Sequence, residues 1–158
     1  GGEPTIQHDL IEFAKRIRKK GYLIKIDTNG SNPEVIEKLI SMKLLDYIAM
    51  DIKSPADKHK VITNSHIGYE KITQTIKLIM KSGIPYEFRT TVLKKLLDEN
   101  DIIDISNSIR NANLYVLQQF TPSKVLDQRF IRYESYTREE LESLSKKIAQ
   151  SVASILIR

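Results

Sequence analysis

The sequence has no cysteine and no tryptophan, and only six glycines and five prolines in 158 residues. Without a thiol there can be no disulfide scaffold, no cysteine nucleophile and no zinc or iron–sulfur centre held by thiolates of this chain. No run approaches the roughly 18 consecutive apolar residues of a membrane span, and the first residues form no apolar leader core. A soluble, cytoplasmic protein is expected. There is no G-x-G-x-x-G after a strand, no P-loop, no G-x-S-x-G and no H-E-x-x-H, so nucleotide hydrolysis, serine hydrolysis and zinc proteolysis lack their usual apparatus. The histidines His8, His59 and His66 are scattered, and only His8 stands near a helix start.

What is present is ordinary for a globular chain: 41% apolar and 28% charged residues. A chain of this length buries roughly two thirds of its unfolded surface, enough for one core without staples. The expected organisation is a single domain over residues 1–158, with 121–136 linking to a C-terminal helix over 137–157. The net charge of +5 is spread among acidic residues rather than massed on one segment. Its densest run, Lys15-Arg16-Ile17-Arg18-Lys19-Lys20, closes a helix whose dipole favours cations there.

Apolar residues Ile6, Leu10, Ile11, Phe13, Ala14 and Ile17 keep helical spacing, and Gly21 stops that helix. A strand over Tyr22–Ile26 follows and ends in Asp27-Thr28-Asn29-Gly30. Asn32 and Pro33 start a second helix. Tyr47-Ile48-Ala49-Met50 is apolar on both faces, as a covered strand should be, and runs into Asp51-Ile52-Lys53-Ser54-Pro55. Further on come a helix from Tyr69 to Met80, a strand over Tyr86–Leu93, a helix capped by Asp98, and a strand over Leu114–Phe120. Thr137 and Glu140 have capping-box spacing before a long last helix that reaches Ile155. Four strands alternating with helices predict an α/β fold of parallel βαβ units, either an open doubly wound sheet or part of an α/β barrel.

In both architectures ligands bind where strands hand over to loops. Those positions carry Asp27-Thr28, Asp51 and Lys53, Arg89, and Gln118-Gln119-Phe120, with Gly1-Gly2-Glu3-Pro4 just ahead of the first helix. Asp27 and Asp51 could share a cation or receive an ammonium group, while Lys53 and Arg89 could grip a carboxylate or phosphate. Phe120 offers an apolar plane for a ring, and Gln118 or Gln119 could bond its edge. Each also has a structural reading: Asp27 as turn former, Asp51 and Arg89 as ion-pair partners, Phe120 as core. Together they suit a zwitterionic ligand that carries an aromatic base.

The ordered set Gly1-Gly2-Glu3-Pro4, Asp27-Thr28-Asn29-Gly30 and Met50-Asp51-Ile52-Lys53 resembles the radical S-adenosylmethionine enzymes, and among them the activating enzymes of glycyl-radical proteins. Tyr86-Glu87-Phe88-Arg89-Thr90-Thr91-Val92 and Tyr115-Val116-Leu117-Gln118-Gln119-Phe120 are more similar to the activase of anaerobic ribonucleoside-triphosphate reductase than to that of pyruvate formate-lyase. The likeness extends to about Asp127. It implies a partial (β/α)6 barrel, a [4Fe–4S] cluster held by C-x-x-x-C-x-x-C, reductive cleavage of S-adenosylmethionine to a 5′-deoxyadenosyl radical, and a glycyl radical installed on a partner enzyme. An electron donor such as flavodoxin or ferredoxin is implied too. By the same resemblance Gly2 and Glu3 contact the methionine amino group, and Gly1 and Pro4 beside them belong to the cofactor site. Asp27, Thr28 and Asp51 lie near its carboxylate, with a cation among them; Lys53 and Arg89 meet a carboxylate or substrate peptide; Gln118, Gln119 and Phe120 border the adenine.

The family's glycine-glycine motif follows its second strand, and this chain opens with that motif. The expectation is therefore an incomplete barrel of about four strands, missing the N-terminal βα units and the cluster cysteines, and inactive alone. No residue of the chain is expected to be catalytic. Its first strand would show an unpaired edge through which copies self-associate. Two other readings remain: a non-catalytic α/β module docking an acidic protein or nucleic acid, which salt would weaken steeply, and a radical S-adenosylmethionine enzyme with another substrate.

Overall fold

The computed structural model describes residues 2–122, 125 and 128–158. In chain order they form a 3₁₀ turn (Pro4–Ile6), α1 (Leu10–Lys19), β1 (Lys25–Thr28), α2 (Pro33–Ser41), β2 (Tyr47–Asp51), α3 (His59–Thr63), α4 (Tyr69–Lys81), β3 (Tyr86–Val92), α5 (Glu99–Ser108), β4 (Tyr115–Gln119), a second 3₁₀ turn (Gln128–Arg132), α6 (Arg138–Ile148) and β5 (Ile155–Ile157). The expected α/β alternation is present. Among the described residues the sheet has five strands rather than four, in the order β1-β2-β3-β4-β5. The chain divides into two compact units, residues 1–52 with 66–88 and residues 53–65 with 89–158. No helix among the described residues is long and apolar enough to cross a membrane.

In the first unit β1 and β2 pair in parallel, Lys25 opposite Tyr47 and Thr28 opposite Met50. The Ile48 N–H donates to the Pro85 carbonyl at 3.1 Å and lays the start of β3 beside β2. β1 alternates, Ile26 and Thr28 buried and Lys25 and Asp27 exposed. Ile36 and Leu39 of α2, Ile72, Ile76 and Ile79 of α4, and Ile48, Met50 and Phe88 of the strands fill the core. Truncating one such isoleucine to alanine costs about 2–5 kcal/mol.

The amino-terminal helix is shorter than its periodicity suggests. Ile6 and Phe13 are exposed, and Ile6 belongs to the 3₁₀ turn before α1. Pro4 fits the first position of that turn, where no N–H is needed. β1 starts at Lys25 rather than Tyr22, leaving Tyr22 and Leu23 exposed.

In the second unit β4 and β5 pair in parallel, Tyr115 opposite Ile155. The last helix corrects the expectation most: α6 stops at Ile148, and Ile155-Leu156-Ile157 becomes an edge strand. The helical spacing of Val152 and Ile155 was coincidental with a β-favouring Ile-Leu-Ile run after a small-residue loop. Both long caps match their signatures. Asp98 accepts from the Asp101 N–H and Thr137 from the Glu140 N–H, each reciprocated as a capping box.

Residues 121–136, expected as a linker, are tied to the unit where described. Leu93 bridges Ser135, and the Tyr136 hydroxyl donates to the Leu97 carbonyl at 2.9 Å. Lys94 joins Glu134 and Glu140 at 2.6 and 2.7 Å, bonds that push its pKa up to about 12.

Candidate functional site

At the carboxyl end of β1 the Gly2-Glu3-Pro4 segment is fastened by one carboxylate. Glu3 Oε1 accepts from Thr28 Oγ1 at 2.7 Å, Thr5 Oγ1 at 2.6 Å and the Thr5 N–H at 3.1 Å; Oε2 accepts from the Asn29 N–H at 2.6 Å. The hydroxyls are themselves supplied. Thr5 Oγ1 accepts from Asn32 Nδ2 at 2.9 Å, and Thr28 Oγ1 from the Gly30 N–H at 3.1 Å. Thr5 and Thr28 are buried. Gly2 has φ +110°, a backbone state favouring glycine, and, its chain neighbours apart, no heavy atom of the described residues lies within 4 Å of where its Cβ would be.

Asp27 and Asp51 stand on one face of neighbouring strands. The register places Asp27 opposite Ala49, and Asp51 lies two residues further along that same face. Asp27 pairs with Lys25 at 3.0 Å, both about half exposed, and Asp51 is half-buried. Thr28 was expected to join these carboxylates around a cation. Strand alternation turns its hydroxyl to the opposite face, where Glu3 holds it. Among the described residues no group of three or more histidine, cysteine or acidic side chains gathers to hold a metal ion.

The same unit carries a cavity of about 470 Å³ whose walls include Leu10, Phe13 and Ile17 of α1 and Ile24, with Gly2 and Asp27 at its polar margin. That size lies within the range of small-ligand pockets.

The second unit holds the remaining candidates. Lys53 is exposed, while Arg89, Gln118 and Phe120 are half-buried. Gln119 was expected at a base edge; its Nε2 donates instead to the Tyr136 carbonyl at 2.7 Å, which commits it to the protein. The Phe120 carbonyl accepts from Ser135 Oγ at 2.9 Å. The loop after β2 is anchored by Lys58, whose Nζ lies 2.7 Å from Asp101 Oδ2, a bond that raises the lysine pKa. His59 is buried, its Nδ1 3.2 Å from Ser54 Oγ, and desolvation lowers its pKa. Gly1 lies outside the described residues.

Sequence reasoning missed the supporting shell of Thr5, Asn29 and Asn32. Asn32 reads as a helix cap before Pro33, yet it makes no side-chain cap bond and turns to Thr5 instead. No spacing rule links residues 27 apart.

The family model of the Radical SAM superfamily matches residues 1–106. The chain belongs to the radical SAM superfamily. It is 40% identical over its whole length to a Methanocaldococcus jannaschii protein named as a glycyl-radical enzyme activating enzyme, of which it spans 68%. It is 27% identical over 96% of its length to a Pyrococcus abyssi protein named as a GTP 3′,8-cyclase, of which it spans 50%. Among solved structures, a domain of pyruvate-formate lyase-activating enzyme from Bacteroides vulgatus matches with a TM-score of 0.74 at 18% identity, covering 98% of this chain and 94% of that one. This last likeness shows a shared fold.

Radical SAM enzymes use S-adenosylmethionine and a [4Fe–4S] cluster, and the two groups fare differently against these residues. The acidic face of Asp27 and Asp51 fits a ligand ammonium. The cluster does not fit: the 158 residues offer no thiolate.

Proposed function

We propose that this chain is the cofactor-holding part of a radical SAM activase whose substrate is a glycyl-radical enzyme, and that it binds the methionine half of S-adenosylmethionine. The observation that carries the reading is the 40% identity to an activating-enzyme relative over the whole of this chain. In this reading the Gly2–Glu3 segment borders the methionine amino group, and Asp27 and Asp51 draw its charge. In the second unit, taken by itself, Lys53 and Arg89 are candidates for a carboxylate and Gln118 and Phe120 for a base.

Iron–sulfur ligands, and the electron they pass from a donor of flavodoxin or ferredoxin type, have to come from outside these residues. The chain alone is then unable to generate the 5′-deoxyadenosyl radical. The test compares this chain with the parent protein under strong reductant, with 5′-deoxyadenosine as readout. Product from the parent and none from the 158-residue chain is the expected result. Product from the chain alone, or none from the parent after iron and sulfide are supplied, overturns the reading. A parent that acts on a guanosine nucleotide would move it to the cyclases.

A further inference from the structure

In the second unit the turn between β3 and α5 holds two segments that are far apart in the sequence. On one side Lys58, in the loop after β2, reaches the capping box of α5, its Nζ 2.7 Å from Asp101 Oδ2 and 3.6 Å from Asp98 Oδ2. Asp101 Oδ2 also accepts the Asp98 N–H at 2.8 Å, and the Asp101 side chain is 6% exposed, a buried charge that needs such partners. A helix cap alone requires the reciprocal bonds of Asp98 and Asp101 and no lysine. On the other side the same turn grips residues 134–136 three times. Leu93 bridges Ser135, Lys94 Nζ lies 2.6 Å from Glu134 Oε1, and the Leu97 carbonyl accepts from the Tyr136 hydroxyl at 2.9 Å. That segment in turn fixes the end of β4: Gln119 Nε2 donates to the Tyr136 carbonyl at 2.7 Å, and Ser135 Oγ to the Phe120 carbonyl at 2.9 Å.

A continuous set of bonds therefore runs from the loop of Lys53, through the amino-terminal end of α5, to the segment of Gln118 and Phe120. Lys53 itself is exposed, with Ser54 and Pro55 buried between it and Lys58. Resting on the reading of Lys53 as a carboxylate contact and of Gln118 and Phe120 as base contacts, we propose that Lys58 and Tyr136 are positioning residues that couple these two segments through one helix end. Loosening either anchor then disturbs both segments, because both bias the same element. The charge at Lys58 matters, since charge-assisted bonds are roughly twice as strong as neutral ones.

The experiment follows amide exchange, without nucleotide, in wild type, Lys58→Met, Lys58→Arg and Tyr136→Phe. Gln119 reports one segment, its N–H bonded to the Arg158 carbonyl at 2.8 Å, and Ile62 the other, its N–H bonded to the Lys58 carbonyl at 2.9 Å. Ala153, bonded to the Ala112 carbonyl at 2.8 Å ahead of β4 and β5, reports the stability of the unit as a whole. Lys58→Met is expected to speed exchange at Gln119, and Tyr136→Phe at Ile62, each by about twofold or more beyond any change at Ala153, the lower end of coupling through such networks. Lys58→Arg keeps the ion pair and holds the wild-type rate at Gln119. Effects confined to the substituted side, or equal at all three amides, overturn the proposal. Should Lys58→Met fail to fold, Tyr136→Phe decides through Ile62. Adenosine, which carries a base and no carboxylate, tests the ligand half by titration. Lys58→Met weakens its binding by about twofold or more, although Lys58 belongs to the other segment; equal affinity in the two proteins overturns the positioning role. Wild type that binds no adenosine counts against the base reading, and the exchange result still decides the coupling.

Discussion

Thr75 Oγ1 donates to the Gly30 carbonyl at 2.8 Å, a fully buried bond that joins α4 to the turn closing β1. Gly30 has φ +76°, and a Cβ there would lie 2.2 Å from Met50 Cε. The turn that ends the first strand is thus held by the Thr75 hydroxyl, and the Met50 side chain fills the space over Gly30.

Two substitutions test this arrangement. Thr75→Val strands a buried carbonyl, and the expected loss is about 1–3 kcal/mol in denaturant unfolding. Gly30→Ala places a Cβ at φ +76°, and the strain should cost about 1–3 kcal/mol. Midpoints within a few tenths of a molar of wild type for both would contradict the packing described.

Stability should fall in acid in two windows. The Ile24 N–H at 2.7 Å and then the Arg18 guanidinium hold the Asp46 carboxyl below its ordinary 3.8. Such a group contributes stability above its unfolded pKa and loses it as pH falls through its lower folded value. His59 is also depressed, by burial, from 6.5. Below that pH the unfolded chain takes up a proton that the folded chain resists, so stability declines there first. His59→Gln should flatten the slope just below pH 6.5 and Asp46→Asn the slope below 3.8, each read from urea midpoints across pH. Slopes identical to wild type would refute the assignments.

The β1 edge predicts self-association. Leu23 is 80% and Tyr22 62% exposed, beside an edge strand and the apolar cavity wall of α1. Exposed edges of this kind pair with one another. Light scattering is expected to show species above 18.2 kDa that Leu23→Lys diminishes. A single 18.2 kDa species in wild type would rule this out.

Much of the fold was legible because its signals are local. Capping pairs such as Asp98–Asp101 and Thr137–Glu140, and apolar stripes such as Ile72-Ile76-Ile79, determine elements within a few residues of themselves. β5 was not legible, since Ile155 continues the helical spacing of Leu141, Leu144 and Ile148, and its strand partner Tyr115 is distant in sequence. Asp27 and Asp51 were recognisable as strand-end carboxylates. The side of the strand taken by Thr28 and the bond of Gln119 to Tyr136 depend on tertiary neighbours that no local pattern encodes.

The central claim is that the β1–β2 rim recognises the amino-acid half of S-adenosylmethionine. Asp51→Ala should weaken binding by about tenfold or more, since it removes a charged partner from an ammonium, with the fold intact because Asp51 is only half-buried at a strand end. The decisive measurement is calorimetric titration of S-adenosylmethionine into the 158-residue chain and its Asp51→Ala variant. Saturable binding that the substitution weakens by that factor is the predicted result; no saturable heat, or equal affinity in the two proteins, would contradict it.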